Sequence, residues 1–171
     1  MDLSGTKGTV VYVILGVLIA VGVNQGLGFA LGTDLPIVAV ESNSMVPAFA
    51  KGDILVLRGA LPEDIHIGDV IVFSPPGQQT PVVHRVVARN PDGTFQTKGD
   101  ANPRQLPYET DIQYNQIHGR MVFIIPLLGW VKLAVTQYAL PNWPFVLLAA
   151  IVAYATVYVL PKVVRPRKRR L

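Results

Sequence analysis

Two uncharged stretches frame a middle whose apolar residues come in short bursts. From Thr9 to Leu31 no residue is charged, and the run VVYVILGVLIAVGV is apolar on every side of a helix. At about 1.5 Å per residue such a helix reaches ~35 Å, more than the ~30 Å hydrocarbon core of a bilayer. The pattern predicts a transmembrane helix over residues 9–31 after a short cytoplasmic N-terminus, residues 1–8. A cleaved secretory signal is the alternative, but its apolar region covers only about 7–15 residues before a small-x-small site. Ala30 and Gly32 could form such a site, yet the run ahead of them is too long. Phe145 to Leu160 (FVLLAAIVAYATVYVL) is also uncharged. It spans only ~24 Å as a helix, and Trp143 with a snorkelling Lys162 extends it to a second predicted transmembrane helix, residues 144–160. A buried core helix is the other way to use that run.

Between these stretches the pattern is that of β structure. β-Branched runs recur at Ile37–Val40, Ile54–Leu57, Val70–Phe73 and Val82–Val87. Turn clusters punctuate them: Lys51-Gly52-Asp53, Ile67-Gly68-Asp69, Ser74-Pro75-Pro76-Gly77 and Pro91-Asp92-Gly93. No helical period is evident between 36 and 120. The prediction is a mainly β fold: a rolled or barrel-like antiparallel β domain over residues 33–130, flanked by N- and C-terminal transmembrane helices. Residues 121–140 are apolar with one Lys and predict a strand followed by an interfacial segment, residues 131–143, with side chains between 121 and 130 resting on the lipid surface.

Charge adds orientation. The chain has 171 residues, of which 15 are Lys or Arg and 11 Asp or Glu. Lys162, Arg165, Arg167, Lys168, Arg169 and Arg170 crowd the last ten positions with no acid among them. A basic tail, residues 161–171, beside a membrane span is held on the cytoplasmic side. Two spans return the N-terminus, with Lys7, to the same side and leave the middle facing outward. The expected localisation is therefore the cell membrane, multi-pass, with the β domain extracytoplasmic. The tail's place beside a span argues against nucleic acid as a partner.

Composition excludes several chemistries. With no cysteine, a disulfide scaffold, a thiolate zinc site and a cysteine nucleophile are ruled out. The three histidines, His66, His84 and His118, are far apart and show no ligand spacing, so no metal or other cofactor is expected. The serines are Ser4, Ser42, Ser44 and Ser74. Ser4 falls on the cytoplasmic side of the first span. Ser42 and Ser44 lie in Ser42-Asn43-Ser44-Met45-Val46-Pro47, about ten residues beyond the membrane, a composition that also suits a plain turn. His84 sits in VVHRVV, where alternation puts it on the face of Val82 and Val86. Partial desolvation there favours the neutral imidazole that a general base needs, although a His in a strand is also an ordinary packed residue. Of the three Gly-Asp pairs, Gly52-Asp53 and Gly68-Asp69 lead straight into strands. Gly99-Asp100 opens none, which leaves the Asp100 carboxylate free to orient an imidazole.

In chain order these elements resemble the type I signal peptidases, in the branch found in archaea, the endoplasmic reticulum and a few Gram-positive bacteria. Ser42-Asn43-Ser44-Met45-Val46-Pro47 resembles that family's S-x-S-M-x-P box, followed by Gly52-Asp53-Ile54-Leu55-Val56. Ile67-Gly68-Asp69-Val70-Ile71-Val72-Phe73, Val83-His84-Arg85-Val86 and Thr97-Lys98-Gly99-Asp100-Ala101-Asn102 match the next boxes, and Gly119-Arg120 with Pro126 and Gly129 the closing segment. The likeness covers about residues 38–130.

The resemblance implies a membrane-bound serine endopeptidase that removes signal peptides from exported preproteins. Ser44 would be the nucleophile and His84 the general base, standing where bacterial relatives carry Lys. Ser42 would help the Ser44 N–H hold the oxyanion, and Met45 would pack beneath the nucleophile. One position departs from the pattern: the branch usually carries a second Asp six residues after the Gly-Asp aspartate, and here that residue is Leu106. Asp100 is the favoured orienting acid, with Glu109 or Asp111 reaching in from a rearranged loop as alternatives, and a dyad without carboxylate as a third. Expected partners are the lipid bilayer, signal-bearing preproteins and the secretory translocon. Two other readings stay open: a catalytically silent homologue that binds exported chains or a membrane partner, and a specialised peptidase for a narrow precursor set.

Overall fold

The computed structural model describes residues 6–154 and 156–157. Ser4, the basic tail and residues 155 and 158–160 of the predicted second span lie outside the described residues. The chain divides into two compact units, residues 1–130 and 131–171.

The first unit opens with helix α1, Thr6–Leu31. Within it, Gly8–Leu31 is long and apolar enough to cross a membrane. Its apolar side chains stand exposed from Val10 to Val23. Six strands follow: β1 (Ile37–Ala39), β2 (Ile54–Arg58), β3 (Val70–Phe73), β4 (Val82–Arg89), β5 (Phe95–Lys98) and β6 (Ile117–Ile125). They form one antiparallel sheet in the order β1-β2-β6-β3-β4-β5. The four runs picked out by β-branched residues are the first four strands. β5 and the opening of β6 escaped that reading, since Gln96, Lys98, His118 and Arg120 break up the apolar signal.

β3 explains how the sheet is covered. All four of its residues are buried, because its two faces feed different clusters. Val70 and Val72 join Val40, Met45, Phe49, Leu55 and Leu57. Ile71 and Phe73 point the other way and join Ile65, Val86, Phe95 and Ile112. A strand buried on both faces reads as an unbroken apolar run, which is what VIVF is. Each such side chain contributes about 1.5–3 kcal/mol through burial. The register sets His84 opposite Ile71, on the face of the second cluster.

The second unit is helical. α2 (Trp130–Leu133) begins at the boundary and continues as a π-helical turn, Ala134–Ala139, before α3, Trp143–Tyr154. The segments Trp130–Ala139 and Trp143–Tyr154 differ in direction by 95°, and satisfy the length and apolarity of a span only as a bent pair. Of the predicted second span, α3, which has 12 residues, and residues 156–157 are described.

Candidate active site

The turn after β1 carries Ser42 and Ser44. Met45, 1% exposed, drops into the first core cluster, and this anchor turns the preceding residue outward. The turn is closed by Phe49 N–H and Ala48 N–H donating to Met45 O at 3.3 and 2.8 Å. Lys51 N–H donates to the Asn43 side-chain oxygen at 2.9 Å. Ser44 is left half-buried above Met45, with Ser42 Oγ 3.2 Å from Ser44 Oγ.

His84 reaches this turn from β4. Its Nε2 is 3.0 Å from Ser44 Oγ, and the residue is only 4% exposed. Its Nδ1 meets Glu109 Oε1 at 2.5 Å. Glu109 has no exposed surface and ends the short 3-10 turn Pro107–Glu109. Thr97 Oγ1 donates to the same Oε1 at 3.2 Å, and Leu106 N–H donates to Oε2 at 2.6 Å. The carboxylate therefore faces three donors and accepts from each. That assigns the ring proton to His84 Nδ1 and leaves Nε2 as an acceptor facing the serine hydroxyl.

Asp100 stands elsewhere. Arg85, the neighbour of His84 in β4, points to the opposite face, and its Nε and Nη2 donate to the two Asp100 oxygens at 2.9 and 2.6 Å. Hydrogen bonding to Arg85 holds the Asp100 carboxyl below the usual carboxylate range, against an opposing effect of burial, and the same pair raises Arg85. Asp111 is exposed, and its Oδ1 takes a 3.4 Å bond from Gln113 Nε2. Of the three acids weighed from sequence, the one brought to His84 is Glu109.

The Gly99-Asp100 loop still bears on the site. Ala101 N–H donates to Ser44 O at 2.8 Å. A Cβ on Gly99 would come 2.8 Å from both His84 Nε2 and Ser44 O, so only glycine lets the loop lie this close. The usable sign of Glu109 in the sequence was Leu106 followed by Pro107: an apolar residue at the expected acid position, then a turn that brings a carboxylate back three residues later. Among the described residues no group of three or more His, Asp or Glu side chains could hold a metal ion.

Comparison with known proteins finds one family. The family described as signal peptidase, peptidase S26, matches residues 9–100. The signal peptidase complex catalytic subunit SEC11C of Homo sapiens is 36% identical over 139 residues, covering 76% of this chain and 71% of its own length, and that of Canis lupus familiaris gives the same figures. The signal peptidase complex catalytic subunit SEC11 of Pyricularia oryzae is 33% identical over 123 residues, covering 67% of this chain and 72% of its own.

Proposed function

The chain belongs to the signal peptidase family, peptidase S26, and from that premise we propose that it removes signal peptides from exported preproteins with Ser44 as nucleophile, His84 as general base and Glu109 as the acid that orients His84. The observation that carries this reading is the unbroken line from Ser44 Oγ through His84 to Glu109, at 3.0 and 2.5 Å.

The chemistry is acyl transfer. His84 Nε2 takes the hydroxyl proton as Ser44 Oγ attacks the scissile carbonyl, and Glu109 stabilises the imidazolium that forms. The imidazolium then protonates the leaving amine, and water, deprotonated in turn by His84, hydrolyses the ester. Ser42 Oγ and the Ser44 N–H receive the oxyanion. This line speaks against a catalytically silent homologue, which has no need of a buried acid set on its histidine.

Signal-bearing chains are themselves inserted in a bilayer. α1 would anchor the β domain, residues 33–130, beside them on the extracytoplasmic side, and residues 144–160 would form the second span. Phe123, Leu127 and Leu128, exposed by 62, 69 and 52%, suit contact with the lipid surface. The secretory translocon is the natural neighbour of such an enzyme.

The test is cleavage of a preprotein by the purified full chain in detergent, beside Ser44→Ala. Mature product from the wild type, reduced at least about 10³-fold in Ser44→Ala, is the expected result. Equal product from both chains would overturn Ser44 as nucleophile.

A further inference from the structure

A second serine–histidine–aspartate line lies apart from Ser44. Ser74 Oγ is 2.8 Å from His118 Nε2, and His118 Nδ1 faces the two Asp34 oxygens at 3.0 and 2.9 Å. The atoms are those of a triad, but the surroundings are not. Pro75 follows Ser74 and has no N–H to offer an oxyanion, and Ser74's own N–H donates to Gln116 O at 2.9 Å. The Asp34 side chain is 68% exposed, solvated where an orienting acid is usually buried.

Its place in the chain gives it a different task. Asp34 belongs to the stretch 32–36 that joins α1 to β1. Gly32-Thr33-Asp34 is flexible by composition, yet it is fastened along its length. Gly59 N–H donates to Leu31 O at 2.8 Å and Leu57 N–H to Pro36 O at 3.0 Å. Thr33 Oγ1 donates to His118 O at 2.7 Å, and Leu35 N–H donates to Thr33 Oγ1 at 3.1 Å. A Cβ on Gly59 would lie 1.9 Å from Gly32 O, so the two backbones meet only because residue 59 is glycine. A cavity of about 420 Å³ opens beside the joint, lined in part by Gly32, Asp34, Gly59, Tyr114 and His118. Leu35 packs the far end of the joint against the first core cluster. Polar ties hold the end next to α1, and His118 gathers three of them: Thr33 on its carbonyl, Asp34 on one ring nitrogen and Ser74 on the other.

We propose that His118 is a positioning residue that clasps the anchor helix to the β domain and thereby fixes the height above the bilayer at which Ser44 meets its substrate. The proposal rests on the signal-peptidase reading above. Along an extended, membrane-inserted substrate, successive peptide bonds lie about 3.3 Å apart. A stiff joint offers Ser44 to one of them, and a loose joint offers it to the neighbours as well. His118 then selects the scissile bond without touching it.

The test uses the full chain in lipid nanodiscs and a preprotein with two equivalent cleavage sites about three residues apart, read by mass spectrometry. Wild type is expected to favour one site by about tenfold, and His118→Ala and Asp34→Ala to lower that preference at least about threefold, with turnover of a short soluble peptide unchanged. His118→Gln, which keeps a donor toward Asp34, should recover part of the preference. An unchanged preference in both alanine variants overturns the proposal, and exposed Asp34 can be replaced without threatening the core. The chain has no cysteine, so Val23→Cys and Val87→Cys can carry spin labels whose distance distribution reports the joint directly. It should be narrow in the wild type and broaden with His118→Ala. If even the wild type leaves the preprotein uncut, the functional reading fails and the spin labels decide alone: a broadened distribution upholds the clasp, an unchanged one overturns it.

Discussion

Asp100 grips Arg85 with both carboxylate oxygens, 2.9 Å from Nε and 2.6 Å from Nη2. One residue earlier in β4, His84 holds Glu109 on the opposite face. Successive strand residues point to opposite sides, so two neighbours each take an acid from the segment that follows, for different ends. Glu109 fixes the imidazole. Asp100 fastens the loop whose Ala101 N–H reaches Ser44 O.

The two acids should therefore fail differently. Glu109→Gln can donate where the carboxylate accepted, which disturbs the tautomer of His84, and kcat/KM should fall about 10²–10⁴-fold. Asp100→Asn leaves His84 and Glu109 in place and should lower kcat/KM by less than about tenfold. Steady-state cleavage assays on both variants separate the roles. A larger loss in Asp100→Asn than in Glu109→Gln would return the orienting role to Asp100.

Much of this was legible along the chain, and the gaps have physical causes. β-Branched runs revealed the four strands whose side chains are mainly apolar, and ordered boxes led to Ser44 and His84. β5 was hidden because only Phe95 and Thr97 turn inward. The start of β6 was hidden because His118 and Arg120 carry polar work across the fold, to Asp34 and Asp69. Glu109 could be named as a candidate but not chosen, since its approach to His84 depends on a single 3-10 turn that no periodicity announces. Ser74 and His118 are 44 residues apart, and only the pairing of β3 with β6 brings them together.

The Arg85–Asp100 pair should show in the acid stability of the chain. Arg85 lowers the Asp100 carboxyl in the folded state, so below neutrality the unfolded chain binds the proton more readily. The pair's contribution is then fully present above the ordinary carboxyl value of about 4 and is lost as the pH falls through the lowered folded value. With side chains exposed by 34 and 22%, the effect is small, about 1–4 °C in Tm. Thermal melts from about pH 6 down to about pH 2.5 should show a wild-type advantage over Asp100→Asn that shrinks toward the acid end. An advantage that stays constant or grows there would contradict the pairing.

Core and surface phenylalanines should separate cleanly. Phe73 has no exposed surface and packs in the cluster beneath His84. Phe73→Ala removes that packing and leaves a cavity, at a cost of about 3–5 kcal/mol. Phe123, on β6, is 62% exposed, and Phe123→Ala should change stability by less than about 0.5 kcal/mol. Denaturant unfolding of the two variants in the same detergent makes the comparison, and equal losses would contradict the packing described.

Gly99 offers the sharpest test of how tightly the loop is set against Ser44 and His84. The added methyl of Gly99→Ala would lie 2.8 Å from both Ser44 O and His84 Nε2, and 2.7 Å from the Asn102 side chain. Two of these contacts can give only by moving groups of the site itself: the serine backbone, which is bound to Ala101 N–H, or the imidazole, which is held by Glu109. Either shift lengthens the 3.0 Å approach of His84 to Ser44. A displacement approaching 1 Å at a reacting centre lowers turnover about 10²-fold. The fall should appear in kcat more than in KM, because the methyl disturbs the reacting groups and leaves the rest of the substrate-binding surface as it was. Gly93→Ala is the control: nothing lies within 4 Å of a Cβ there, though its φ of +91° carries a backbone strain of its own. That strain should lower stability and leave kcat near wild type. Gly99→Ala with wild-type kcat would mean that the loop does not press on the site as closely as these distances require.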